Sequence, residues 1–329
     1  MMKSVKNFEL SKFLANHTLE IVLLALIVFC LIFAPGFYRI ANLVGILRAV
    51  AITGVISMGM TMVIIGGEID LSVGSSIALS SVMVVWTTGF LYERFSMMME
   101  VGVIFGMIVA LGLGLLVGLF NGILRVKFKI PSFIITLAML NALFGISAVI
   151  SRGFPLTTLP RWYSWIGAGT IGIVPVPAIW LLLVFGGVFV IMNYTRFGRE
   201  VYAVGGNLEA ARLSGINVDR VKILIMMAVQ GLAAFAGIIL SSQVRAGSST
   251  FGRGNELDVI SAVIVGGAAL SGGLGKAWGT FVGVIFLGVI MNALTLFGIS
   301  DFVRHIVRAA LILGAVLLNT IQQERLKKA

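Results

Sequence analysis

The feature that most constrains this chain is a succession of long apolar runs, separated by short stretches that hold most of its charge. A membrane-crossing helix needs about 20 predominantly apolar residues. The runs read as spans near 20–36, 43–66, 73–91, 101–123, 130–151, 177–195, 222–241, 258–275, 277–297 and 304–320. Little period-2 alternation is visible in them, which argues for helices over a β-barrel. Charged residues make up only 11% of the chain and mean hydropathy is +1.09, whereas an ordinary soluble domain is about 25% charged. The expected fold is all-α: a polytopic membrane helical bundle of about ten transmembrane helices, forming one domain over residues 1–329.

The net charge of +11 needs no nucleic acid to explain it, because the cations cluster between apolar runs as the positive-inside rule requires. With ten spans both termini share a face. Fifteen lysines and arginines lie on that face, in the tails and around residues 125–129, 196–222 and 276. Six lie opposite: Arg39, Arg94, Arg152, Arg161, Arg245 and Arg253. The termini are therefore expected in the cytoplasm. Lys3, Lys6 and Lys12 precede the first run, but no A-x-A site follows, so the first span is expected to stay uncleaved. Cys30 stands alone in an apolar run and reads as a small hydrophobe. His17 and His305 lack the spacing of a metal site.

The largest polar interruption is residues 196–222, RFGREVYAVGGNLEAARLSGINVDRVK. Its middle predicts a very short helix with both ends marked. Asn207 suits the N-cap, Glu209 falls in the positive first turn, and Gly215 suits the left-handed position past the C-terminus. From spacing alone, a plain cytoplasmic loop and a partner-docking element are both open.

A second interruption, GGEIDLSVGSS from Gly66, holds Glu68 and Asp70 between two apolar runs. The span boundaries put both carboxylates at a cytoplasmic turn, where Asp70 or Ser72 could cap the next helix. A role in a translocation pathway is the other reading, since interrupted helices build many transporter sites. Asn121, Asn141 and Asn292 lie in or at the ends of apolar runs; they serve either as ties between helices or as pathway groups. Residues 152–176 carry Trp162, Tyr163 and Trp165, which fit an interfacial belt or an external docking surface. Residues 242–258 suit an outer loop or a pore-lining excursion. The run from Gly266, GGAALSGGLGKAWG, has Leu270 and Ala277 where a phosphate loop needs Gly and Ser/Thr, so it encodes no nucleotide site.

Two echoes hint at duplication. Asn121 with Ile130-Pro131-Ser132-Phe133 echoes Asn292 with Ile299-Ser300-Asp301-Phe302, in the sense of an inverted repeat. Val63-Ile64-Ile65-Gly66-Gly67 echoes Val263-Ile264-Val265-Gly266-Gly267 in the same sense.

Glu209-Ala210-Ala211 followed by Gly215 resembles the EAA…G loop in the membrane subunits of ABC importers. The fuller string Gly205-Gly206-Asn207-x-Glu209-Ala210-Ala211-Arg212-Leu213-Ser214-Gly215-Ile216 is similar to that of sugar permeases of the ribose/galactose/arabinose and autoinducer-2 type. Residues 66–76 resemble that family's GGIDLSVGS signature, with Glu68 departing from the commoner glycine. Glu256-Leu257-Asp258 and the glycine run from Gly266 match two further segments, and the likeness extends from about residue 37 to 320.

The resemblance implies a permease of the bacterial inner membrane passing a monosaccharide or similar small polar solute. It implies ATP-binding cassette subunits that carry the ATP, so this chain needs no cofactor and is no enzyme. It also implies a periplasmic sugar-binding protein and a second permease copy, identical or not, within membrane lipid. Residues Gly205, Gly206, Asn207, Glu209, Ala210, Ala211, Arg212 and Gly215 would form the coupling helix on the ATPase. Glu68, Asp70, Ser72, Asn121, Asn141 and Asn292 are the candidate pathway. The alternatives are a branched-chain amino-acid ABC permease and an ion-coupled secondary transporter.

Overall fold

A computed structural model describes residues 17–300, 302–311, 313, 314 and 317. The basic tails and the end of the tenth expected span lie outside them. Among the described residues, seven helices are long and apolar enough to cross a membrane: α2 (Ile40–Ile65), α3 (Val73–Phe95), α4 (Met99–Lys127), α5 (Ser132–Ser151), α7 (Val176–Tyr194), α10 (Val218–Val244) and α12 (Ala277–Leu296). The shorter apolar α1 (Thr18–Phe33) precedes them, and residues 302–311 are helical after α12. Between α5 and α7 lie α6 (Ser164–Ala168) and a two-stranded hairpin, Thr170–Ile171 with Val174–Pro175.

Helix α10 is the hub, packed on α2, α3 and α4. Its approach to α4 requires a residue without a side chain: a Cβ at Gly118 would come 2.5 Å from the Met226–Met227 backbone. Small residues at such crossings are how membrane helices gain close packing. Tyr163, expected in an interfacial belt or docking surface, is instead fully buried and donates to the Ile238 carbonyl at 3.0 Å. Its neighbours Trp162 and Trp165 remain exposed.

The eighth expected span departs from its sequence reading. In place of a continuous helix over 258–275 there is α11 (Asn255–Val265), followed by an irregular stretch to Lys276. Eleven residues rise about 16 Å, roughly half the hydrocarbon thickness. Gly266-Gly267 ends the helix, with Gly267 at φ +89°. The preceding segment dips into the bundle: Ser248 and Ser249 are buried, and the Ser248 N–H donates to the Ser81 hydroxyl of α3 at 3.3 Å. Helix α11 thus begins inside: Glu256 lies against Gly74, where an added Cβ would sit 2.2 Å from its Oε2. That places its carboxylate at the N-terminal turn of α3, where the helix end favours negative charge.

Candidate functional site

The polar island folds as two helices. Thr195 opens α8 (Arg196–Gly206) by accepting the Gly198 N–H at 3.2 Å. One face buries Gly198, Val201 and Val204, while Arg196 and Glu200 pair on the surface at 2.8 Å. Tyr202 reaches across to donate to the Gly275 carbonyl at 2.9 Å; burial pushes its phenol pKa up and keeps that proton in place. Asn207 then caps α9 (Leu208–Leu213), its Oδ1 accepting the Ala210 N–H at 3.0 Å. Beyond the helix Gly215 takes φ +80°, its N–H bonds the Arg212 carbonyl, and the Ile216 N–H bonds that of Ala211. This doubly bonded left-handed ending is why glycine stands there.

Helix α9 is a tip. Ala211 is its one buried residue, whereas Glu209, Ala210 and Arg212 are exposed and Leu213 is 90% exposed. Its root is tight. A Cβ at Gly205 would come 1.7 Å from the Ile65 carbonyl oxygen and 2.7 Å from the Gly273 nitrogen, and the Gly273 N–H donates to that Ile65 carbonyl at 2.8 Å. The end of α2, the root of α9 and the stretch after α11 therefore meet backbone to backbone.

The second cluster begins at Glu68, three residues beyond Ile65. The carboxylates expected at a solvated turn are buried, Glu68 at 4% exposure and Asp70 at 0%. After Gly67 (φ +75°) the chain folds back into the bundle rather than running out of it. Two groups form there. Glu68 accepts from Arg125 of α4 at 2.9 Å and from Lys222 of α10. Deeper, Asp70 Oδ1 accepts from the Ser72 N–H at 2.8 Å and from its hydroxyl at 2.6 Å, and Oδ2 accepts from Gln230 at 2.8 Å. Gln230 also bonds the hydroxyls of Ser72 and Ser76. Asn121 donates to Ser72 at 3.4 Å, and its Oδ1 is buried without a partner.

Of the candidate pathway residues, the structure gathers Glu68, Asp70, Ser72 and Asn121. It leaves two apart. Asn141 is exposed on α5 and donates to its own helix at Leu137. Asn292 exchanges amide hydrogen bonds with Asn42 of α2, at 2.8 and 3.1 Å. Sequence reading missed Gln230 and the inward role of Lys222. The first had a signal, an amide inside the apolar run ILIMMAVQGLAAF.

Helices broken at depth, buried polar groups at the breaks and a capped polar tip define a multi-pass membrane protein of the transporter class. The pattern of one family, the branched-chain amino acid transport system permease components, matches residues 42–316, and the chain belongs to that family. It is 37% identical to the ribose import permease protein RbsC of Escherichia coli (strain K12), over 92% of this chain and 93% of that one. To the Bacillus subtilis (strain 168) protein of the same name it is 40% identical, over 90% of each. To the L-arabinose transport system permease protein AraH of Escherichia coli (strain K12) it is 35% identical, over 97% of this chain and 94% of that one. No solved structure matches the chain. As a permease component it is a transport subunit of a multi-pass membrane system, not an enzyme.

Proposed function

We propose that this chain is the transmembrane permease of an ATP-driven importer that carries a monosaccharide, a pentose foremost, across the bacterial inner membrane. The observation that carries this reading is identity of 37–40% over nine-tenths of the chain to permeases named for ribose import. Separate ATPase subunits drive it and a periplasmic binding protein supplies it; two permease copies pair in the lipid, with both termini cytoplasmic. The whole chain acts as one permease domain. Helix α9 is the coupling element, with Gly205 and Gly206 at its root, Asn207 and Gly215 fixing its ends, and Glu209, Ala210, Ala211 and Arg212 shaping it for the ATPase. Exposed Leu213 is the apolar anchor of that contact, because an isolated 90% exposed leucine at a rigid tip suits a partner's pocket. Movement there reaches the bundle through the contact of Gly205 with Ile65 and through Lys222 on Glu68. Asp70, Ser72 and Asn121 hold the start of α3, and their part in transport is to keep that broken end in register.

The test is reconstitution with ATP-binding cassette subunits and a periplasmic sugar-binding protein from the same organism. ATP-dependent uptake of labelled ribose or arabinose is expected, and Leu213→Asp should lower uptake and stimulated hydrolysis at least tenfold while the permease stays folded. Uptake of labelled leucine instead would establish the amino-acid reading that the family's description favours. Uptake that follows an ion gradient without ATP would overturn both.

A further inference from the structure

Basic residues on the α9 side of the bundle keep two kinds of company. Most cations of the polar island stand among Glu200, Glu209 and Asp219; Arg196 and Arg212 each face a carboxylate there, at 2.8 and 3.9 Å. The corner where α4 ends and α5 begins is different. Residues 120–136, FNGILRVKFKIPSFIIT, hold Arg125, Lys127 and Lys129 and no acidic residue. The carboxylate that reaches this corner is Glu68, and Lys222 shares it. Arg125 gives Glu68 only its Nε–H, at 2.9 Å, and its Nη groups donate to no described residue. Lys127 and Lys129 are exposed and pair with no described carboxylate. The corner therefore sets four cations against one carboxylate.

The start of α5 adds to the imbalance. Its first turn holds no acidic residue, and no side chain caps it. Ser132 turns its hydroxyl inward instead, to accept the Ile69 N–H at 3.2 Å. The first N–H groups of this 20-residue helix are thus left for an outside acceptor, at the end that favours negative charge. Beside them Phe128, Phe133 and Ile134 are exposed, at 59%, 51% and 55%.

We infer that this corner binds an anionic phospholipid: Arg125, Lys127, Lys129 and the start of α5 hold its phosphodiester, and its acyl chains lie along Phe128, Phe133 and Ile134. Phosphate oxygens are acceptors only, and a guanidinium meets them with paired donors. Arg125 can do so through its Nη groups while its Nε stays on Glu68, so the headgroup adds to the buried ion cluster without breaking it. A free phosphate would use the cations and leave the apolar flank bare. A zwitterionic lipid brings a cation of its own into a corner that already has too many. Basic pockets between membrane helices commonly serve anionic headgroups in this way. The inference is independent of which solute the permease carries.

Lys129 permits a clean test. It stands just past the end of α4 at φ +56°, a conformation that glycine adopts without strain. Lys129→Gly therefore removes the charge and should melt no lower than the wild type in neutral detergent. The full-length permease, purified in that detergent, is titrated with phosphatidylglycerol or phosphatidylcholine, and retained lipid is counted by native mass spectrometry. Phosphatidylglycerol should be retained at concentrations where phosphatidylcholine is not, and it should raise the melting temperature. Each basic residue near an anionic lipid contributes about fivefold, so Lys127→Gln should weaken retention about fivefold and Lys127→Gln with Lys129→Gly about thirtyfold. Arg199→Gln with Arg220→Gln removes the same charge from exposed positions on the same side and should change nothing. Millimolar inorganic phosphate should neither displace the lipid nor raise the melting temperature. Equal retention of both lipids would overturn the preference for an anionic headgroup. Retention that survives loss of both lysines, or that falls equally in the Arg199 and Arg220 control, would overturn the location. Full displacement by inorganic phosphate would make the corner an anion site and overturn the lipid.

Discussion

Residues 63–67 and 263–267 make the same turn and lead to different ends. In both, a helix closes on two glycines. Gly67 donates to Ile64 and Glu68 to Val63; Gly267 donates to Ile264 and Ala268 to Val263. The second glycine is left-handed in each, at φ +75° and +89°. After the first turn the chain folds back into the bundle and starts α3 among buried polar groups. After the second it stays at the surface end, passes Gly205 and Gly206, and starts α12 only at Ala277. The sequence of each turn decides that a helix stops. What decides where the chain goes next is whether the following residues find partners: Glu68 and Asp70 have Arg125, Lys222 and Gln230 waiting, and the stretch Ala268–Lys276 has glycines that pack backbone on backbone.

The sharpest way to break this comparison is to remove the partner chemistry from the first junction alone. Glu68→Gln leaves Lys222, 7% exposed, against a neutral amide. Unmatching a buried ion pair in this way costs about 3–5 kcal/mol. Unfolding in mixed micelles should register that loss, and adding Lys222→Met should restore at least half of it, because the more deeply buried of the two stranded cations is gone while Arg125, its side chain a quarter exposed, keeps contact with solvent. An unchanged unfolding midpoint for Glu68→Gln would show that the ion cluster does not hold the first junction.

A smaller effect is expected where the two junctions touch. An alanine Cβ at Gly205 would need the Ile65 carbonyl to move, and overpacking of this kind costs about 1–3 kcal/mol. At Gly206 a Cβ meets nothing within 4 Å, so Gly206→Ala should be neutral or slightly stabilising, by up to about 1 kcal/mol, because helix favours alanine over glycine. Thermal melts of the two purified variants would separate them. Equal melting would mean that α8 does not bear on α2.

What the sequence made legible follows the range of each interaction. The caps of α9 were readable because Asn207 and Gly215 act on backbone within three or four residues of themselves. The bundle class was readable because hydropathy is additive along a run. The burial of Glu68 and Asp70 was not, since their partners Lys222 and Gln230 stand 154 and 160 residues away. The eighth span departs from its hydropathy for a local reason: Gly266-Gly267 carries the same stop signal as Gly66-Gly67, inside a run whose apolar residues continue past it. Of the two duplication echoes, the same-sense pair corresponds to matching turns. Asn121 and Asn292 share no such geometry, one bonding Ser72 and the other Asn42.

The smallest effect tests the turns themselves. If both junctions rest on the same left-handed glycine, Gly67→Ala and Gly267→Ala should cost the same. The left-handed conformation penalises an L-residue by roughly 1–2 kcal/mol. Neither added Cβ meets a close neighbour: at Gly67 the nearest atom is the Gly205 Cα at 3.8 Å, and at Gly267 nothing lies within 4 Å. Sterics beyond the backbone therefore cancel from the comparison, and unfolding in mixed micelles should give two losses that agree within about 0.5 kcal/mol. A much larger loss at Gly67 would mean that the buried network behind it depends on the angle of that turn, so that turn and partners act as one unit. Then only at the second junction would the glycines stop the helix independently of the partners that steer the chain.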